Sequence, residues 1–280
     1  MMSVKASLTL QQLFDHYFND FVQHRCRSKD EIHKNFNRYF TDLKNSPIDE
    51  IKSVDLQRWH NALGAHRGHP IANRCLTLFS AIFNYGEKFE LISYRRNPAK
   101  SIEKFPEESR TRVLSDDETH RLLAAIDQIG SGNRDVFKIA VLCAARIANC
   151  CSMAWSEIDF DRGVWTIPCN KFKSGRTTKI PLPEQALEIL NKRKLIHGSS
   201  KWVFPSKSSK TGHVIYPYTS WRKICALANL QDLVPHDLRR TNATKQAELG
   251  ASMAVIGANL GHANLQSTEI YTRPQLEARR

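Results

Sequence analysis

No two of the chain's seven cysteines stand in CxxC spacing, and their number is odd, with positions 26, 75, 143, 150, 151, 169 and 225. That argues against a disulfide framework and offers a structural zinc no ligand set. "NCCSM" reads instead as small apolar residues on a buried helix. Long hydrophobic runs are missing too. The first residues, "MMSVKASLTLQQLFDHYF", reach Gln11 and Gln12 before an apolar stretch can form, so neither a secretory signal nor a membrane anchor is expected, and the protein reads as cytoplasmic. There is no internal repeat and no low-complexity tract.

Acidic charge is the scarce sign. Asp and Glu number 28 against 41 Lys and Arg, giving a formal net charge of +13. Residues 1–104 carry +5 (16 basic, 11 acidic) and the remainder +8 (25 against 17). An excess spread over both halves fits a surface that wraps a polyanion better than it fits one basic tail. With 41% hydrophobic and 25% charged residues over 280 positions, the chain is long enough for two domains with cores.

What is present is mostly helical periodicity. "TLQQLFDHYFNDFVQHR" places Leu10, Leu13, Phe14, Tyr17, Phe18 and Phe21 on one stripe, and "KDEIHKNFNRYFTDL" repeats the device with Ile32, Phe36 and Phe40. "SVDLQRWHNALG" predicts a helix capped by Ser53 and ended at Gly64, and "IANRCLTLFSAIFNYGEKFEL" a fourth. Their aromatic residues are expected in the core of a small bundle. Residues 99–113 lack apolar periodicity and read as a linker. Beyond it Ser115 and Glu118 form a capping box, and a long, almost wholly apolar helix is predicted from about Asp135 to Met153, with Arg146, Asn149 and Ser152 among its few polar residues. "GVWTIPCNKFKSGRTTKIPL" predicts two strands joined at Ser174-Gly175, before further helices.

Six residues carry chemistry. An arginine inside an apolar helix must be paired or face a cleft, so Arg146 points to an anionic ligand. Lys173 stands just before the hairpin turn. "PHDLRRT" sets His236 and Arg239 three apart on one helical face, after Pro235 at a helix start. "LGHANLQSTEIYTR" adds His262 and, nine residues on, Tyr271. Two arginines, a lysine, two histidines and a hydroxyl suit attack by Tyr271 on a phosphodiester. Guanidinium forks match the non-bridging oxygens, a histidine can take the phenolic proton, and a lysine can protonate the leaving oxygen. No carboxylate cluster stands in these segments to hold Mg²⁺, so no metal or cofactor is expected.

In order and spacing, "HDLRRT", "LGH" and the following tyrosine resemble the tyrosine recombinases of the phage integrase family. "WSEIDF", "VWTIP" and "KIPL" resemble the stretch around that family's hairpin, particularly in prophage-type integrases, and the N-terminal helices closing at "RRNPAK" resemble its core-binding domain, without an arm-binding domain ahead of them.

The resemblance implies a mainly α fold with a small β-sheet. A helical core-binding domain (1–98) would be joined by the linker (99–113) to a mixed α+β catalytic domain (114–280). It implies Tyr271 as nucleophile, Arg146 and Arg239 as phosphate clamps, Lys173 as general acid, His236 as acid/base partner and His262 as a donor to the scissile phosphate. Double-stranded DNA attachment sites would be the substrate, bound by a homotetramer, with room for accessory DNA-bending proteins and no role for a membrane. Such an enzyme acts at the nucleoid of a bacterium or is encoded by a phage. The family usually reads Thr-Gly before the first arginine and an acidic residue three after it, where this chain has Cys143, Ala144 and Asn149. Site-specific recombination is the expected activity. A type IB topoisomerase and a DNA-binding regulator without catalysis are the alternatives.

Overall fold

The computed structural model describes residues 7–93, 96–171 and 176–261, and the chain divides into two compact units, Met1–Ser109 and Arg110–Arg280. The division falls inside the 99–113 segment. Among the described residues no helix is long and apolar enough to cross a membrane.

The first unit is a helical bundle. Thr9 and Gln12 close a capping box at the start of α1 (Leu10–Tyr17), which runs through a π-helical turn, Phe18–Val22, into the single turn α2 (Gln23–Arg25). α3 (Lys29–Tyr39), α4 (Ser53–Arg67) and α5 (His69–Lys88) complete it. The aromatic stripes meet as expected. Phe14 stacks on Phe36 at 3.7 Å between ring centroids, and Phe36, Phe40 and Trp59 continue the row. Two details differ from the sequence reading. Lys52, not Ser53, occupies the cap of α4, and the Ser53 hydroxyl donates to the Pro98 carbonyl instead. The helix also passes through Gly64 and stops at Gly68, whose φ of 89° only glycine adopts readily.

Gly64 serves a different purpose. A Cβ there would lie 2.6 Å from the Phe105 ring, which stacks between His60 and His69. Asn73 donates to the Phe105 carbonyl and accepts from its amide, while Ala99 and Ile102 are buried in the bundle. Much of the segment read as linker is therefore packed down. Its anchors, one phenylalanine and two aliphatics, are too sparse to show a period.

In the second unit the Ser115–Glu118 capping box opens α6 (Asp116–Asp127) as expected. The long helix predicted from Asp135 to Met153 is two helices, α7 (Ser131–Leu142) and the short α8 (Ile147–Cys151). Ala144 breaks it with φ +48°, and Arg146 sits in extended conformation as the cap of α8. Apolarity is continuous across the break because Cys143, Ala144 and Ala145 are all buried, so composition hid a backbone reversal. Cys150 and Cys151 are buried on α8, as "NCCSM" suggested, and burial pushes the Cys151 thiol up to about 12.

The sheet has three antiparallel strands, β1 (Ile158–Asp159), β2 (Val164–Ile167) and β3 (Thr178–Pro181), with Trp165 opposite both Ile158 and Ile180. The sequence reading found β2 and β3 and missed β1, two residues being too short to alternate. The Ser174-Gly175 turn lies outside the described residues. α9 (Glu184–His197), α10 (Tyr218–Leu227), α11 (Pro235–Glu248) and α12 (Met253–Leu260) follow.

Candidate active site

α11 organises the site. Pro235 fills its first position, where a missing N–H costs nothing, and Asp237 caps it by accepting from the Val234 amide at 2.9 Å. His236 is exposed in that first turn, and Arg239 follows on the next at only 2% exposure. Arg239 is held from two sides. One Nη donates to the Ala144 carbonyl at 2.9 Å and the other to the Leu260 carbonyl. The guanidinium thus ties the reversal before Arg146 to the end of α12.

Arg146 is half-buried at the mouth of α8, released from the helix by the Ala144 turn. Its charge reaches His236. That imidazole is held below its ordinary value of 6.5, first by partial loss of hydration and then by Arg239, Arg240 and Arg146, with Asp237 opposing. A histidine so surrounded is neutral at pH 7 and can accept a proton. Asn149 is buried one turn after Arg146, and its Nδ2 finds no acceptor among the described residues.

Three of the six residues singled out from sequence, Arg146, His236 and Arg239, are therefore neighbours. Lys173, His262 and Tyr271 lie outside the described residues. Two flanking features are nonetheless visible. Gly261 ends α12 with φ +59° against the Thr178 side chain of β3. Lys171, which the sequence reading passed over, pairs with the nearly buried Glu157, donates to the Ser152 carbonyl and lies 5.3 Å from the Trp202 ring centroid. Glu157 also accepts from the Trp165 indole at 3.1 Å. Lys171 thereby secures the chain leading out of β2. Only its spacing from Glu157 could have hinted at this, and a separation of fourteen residues has no local signature.

A cavity of about 930 Å³ alongside α7 and α9 is lined by none of these residues.

A buried arginine, a second arginine and a histidine held below its ordinary value together form a candidate phosphoryl-transfer centre, since guanidinium groups match the oxygens of a phosphate. The chain belongs to the phage integrase family, whose model matches residues 112–277. It is a tyrosine recombinase. It is 27% identical over 204 residues to tyrosine recombinase XerA of Pyrococcus furiosus, covering 72% of this chain and 68% of that protein. It is 28% identical over 241 residues to prophage integrase IntA of Escherichia coli K12, covering 83% and 57%. In fold it is similar to residues 75–356 of lambda integrase, solved as a dimer bound to a COC' core site, with a TM-score of 0.75, 20% identity and 95% of both chains covered.

Proposed function

We propose that this recombinase cuts and rejoins double-stranded DNA at specific sites through a covalent link from Tyr271 to the 3′ phosphate, with no metal and no ATP. The observation that carries the reading is the seating of Arg239 between the Ala144 and Leu260 carbonyls. It draws the segment before Arg146 and the end of the helix that leads into "LGHANLQSTEIYTR" to one guanidinium.

The chemistry follows from the groups. Arg146 and Arg239 neutralise the non-bridging oxygens as charge builds on the phosphorus. Neutral His236 accepts the phenolic proton, which at a reference pKa of about 10 the hydroxyl otherwise keeps at neutral pH. The Tyr271 oxygen bonds to phosphorus while the bond to the 5′ oxygen breaks, and Lys173 protonates that oxygen. His262 donates to a phosphate oxygen. One phosphodiester is exchanged for another, so a free 5′ hydroxyl can reverse the step on the same or a different strand.

Lambda integrase has been solved as a tetramer bound to a Holliday junction. We extend that assembly to this chain, because exchange between two duplexes needs four nucleophiles. The partners would then be attachment-site DNA and three further copies, with accessory DNA-bending proteins open.

A suicide duplex nicked beside the cleavage point tests the reading. The short fragment diffuses away, and the full chain should remain attached to DNA through detergent and in the presence of EDTA. Tyr271→Phe should abolish the adduct and leave DNA binding nearly intact. An adduct undiminished in Tyr271→Phe, or one requiring Mg²⁺, would overturn it. DNA binding without any adduct would favour the regulator.

A further inference from the structure

Helix α11 is gripped on the side away from Arg239. Positions 237, 241 and 245 form one stripe along it, four residues apart, while 239 lies about 200° around the helix from 237. Each member of that stripe holds the segment through which the chain leads into the second unit. Arg110 donates to Asp237 through Nη2 at 3.0 Å, with Nε at 3.5 Å. The Leu114 amide donates to the Thr241 hydroxyl at 3.0 Å, and Lys245 pairs with Asp116. Arg112 is braced in turn by Glu118, at 3.0 Å from Nη1.

The first of these ties is unlike the others. Asp237 is 1% exposed and sits between His236 and the turn that carries Arg239. One of its oxygens already caps the helix at the Val234 amide, and Arg110 supplies the opposite charge. Arg110 also donates to the Asp232 carboxylate at 2.9 Å and the Asp232 carbonyl at 2.8 Å, so a single guanidinium fastens the loop before the helix to its first turn. A buried carboxylate without its counter-ion would be driven to find water, and the turn bearing His236 would move with it.

We infer that Arg110 is a positioning residue for strand cleavage: by holding Asp237 it fixes the rotation of α11, and with it the aim of His236 and Arg239 at the phosphate.

This rests on the function proposed above and extends it to a residue outside the six. Besides the Arg110–Asp237 pair, His236 faces Arg239 and Arg240 on its own helix and Arg146 from α8, with Arg112 and Asp232 beyond Asp237. Losing Arg110 leaves the Asp237 carboxylate less compensated beside the imidazole. The protonated imidazole is then favoured, and the acidic limb of the cleavage profile moves to higher pH.

The test is single-turnover adduct formation on the nicked duplex by the full chain, against pH, with DNA affinity measured in parallel. Arg110→Ala should slow cleavage roughly tenfold or more, because small misalignments at a reacting centre are costly. DNA affinity should change by less than about threefold, and the acidic limb should move upward. Arg110→Lys should recover part of the rate. In an Asp237→Asn background, Arg110→Ala should add little, since both act through one contact. Equal losses of rate and affinity with an unmoved pH limb, or additive effects in the double variant, would overturn the inference and leave Arg110 a structural residue. If Arg110→Ala fails to fold, Arg110→Lys and the double variant decide it. An adduct absent from the unaltered chain would refute the proposed function instead, and this inference with it.

Discussion

The Arg239 guanidinium donates to the carbonyl of Ala144 at 2.9 Å, and Ala144 is the residue whose φ of +48° turns the chain between α7 and α8. The two facts belong together. Only a left-handed residue there points its carbonyl at α11 and frees Arg146 from the helix. Alanine is a poor choice for that conformation, its Cβ crowding the following carbonyl at a cost of about 1–2 kcal/mol. Ala144→Gly removes that strain, offset by the greater freedom of glycine in the unfolded chain. The net expectation is roughly 0.5–1 kcal/mol of added stability, a rise in Tm of about 1–4 °C in calorimetry. A lower Tm would mean that burial of the Ala144 methyl outweighs the strain.

Asn149 supplies a second test. Its buried Nδ2 has no acceptor among the described residues, an arrangement that costs about 1–3 kcal/mol. Asn149→Asp replaces that donor with an acceptor of the same size and puts negative charge one turn from Arg146, where the family usually has an acid. Adduct formation should quicken, with DNA affinity nearly unchanged, because alignment acts on the transition state. An unchanged or slower rate would show that Arg146 is already held by its other contacts.

The pH dependence has a definite sign. His236 is held below 6.5, so as pH falls from neutrality cleavage should persist past the ordinary imidazole value before declining. Arg240 is one of the charges responsible and is not among the six site residues. Arg240→Gln removes a positive charge, lets the imidazole take its proton more easily, and should shift the acidic limb of the rate profile to higher pH. A limb that stays put in this variant would mean that His236 is not the group titrating.

How much of this could be read from sequence depends on the range of the interaction. The aromatic row from Phe14 through Phe36 to Phe40 was legible, since each member repeats at helical spacing, and so were the Ser115–Glu118 box and the start of α11 at Pro235. Arg146 stood out as a charge in an apolar stretch, and His236 and Arg239 as a pair three apart on one helical face. The break at Ala144 did not. It lies in unbroken apolar sequence, and the carbonyl it turns outward from the helix is met by a hydrogen bond from a residue 95 positions away. Arg110 escaped notice for the same cause. In a segment of alternating charge nothing distinguishes the arginine whose partner, Asp237, is 127 residues further on.

Lysines 171 and 173 stand two apart, and the proposed mechanism gives them different work. Lys173 is proposed to protonate the leaving 5′ oxygen. Lys171 pairs with Glu157 and donates to the Ser152 carbonyl, which anchors the chain leaving β2. A substrate whose bridging 5′ oxygen is replaced by sulfur separates the two roles, because a thiolate leaves unaided, the thiol having a pKa near 8.5 rather than that of an alcohol. Lys173→Met should lose cleavage of ordinary DNA and regain most of it on the sulfur substrate. Lys171→Met should lose on both, since an anchor serves either leaving group. It should also lower stability by up to about 3 kcal/mol, as Glu157 stays nearly buried without its partner. Adding Glu157→Gln should restore part of that stability. If the sulfur substrate rescued Lys171→Met and not Lys173→Met, the general acid would be the lysine bound to Glu157, and the assignment taken from the hairpin turn would fall.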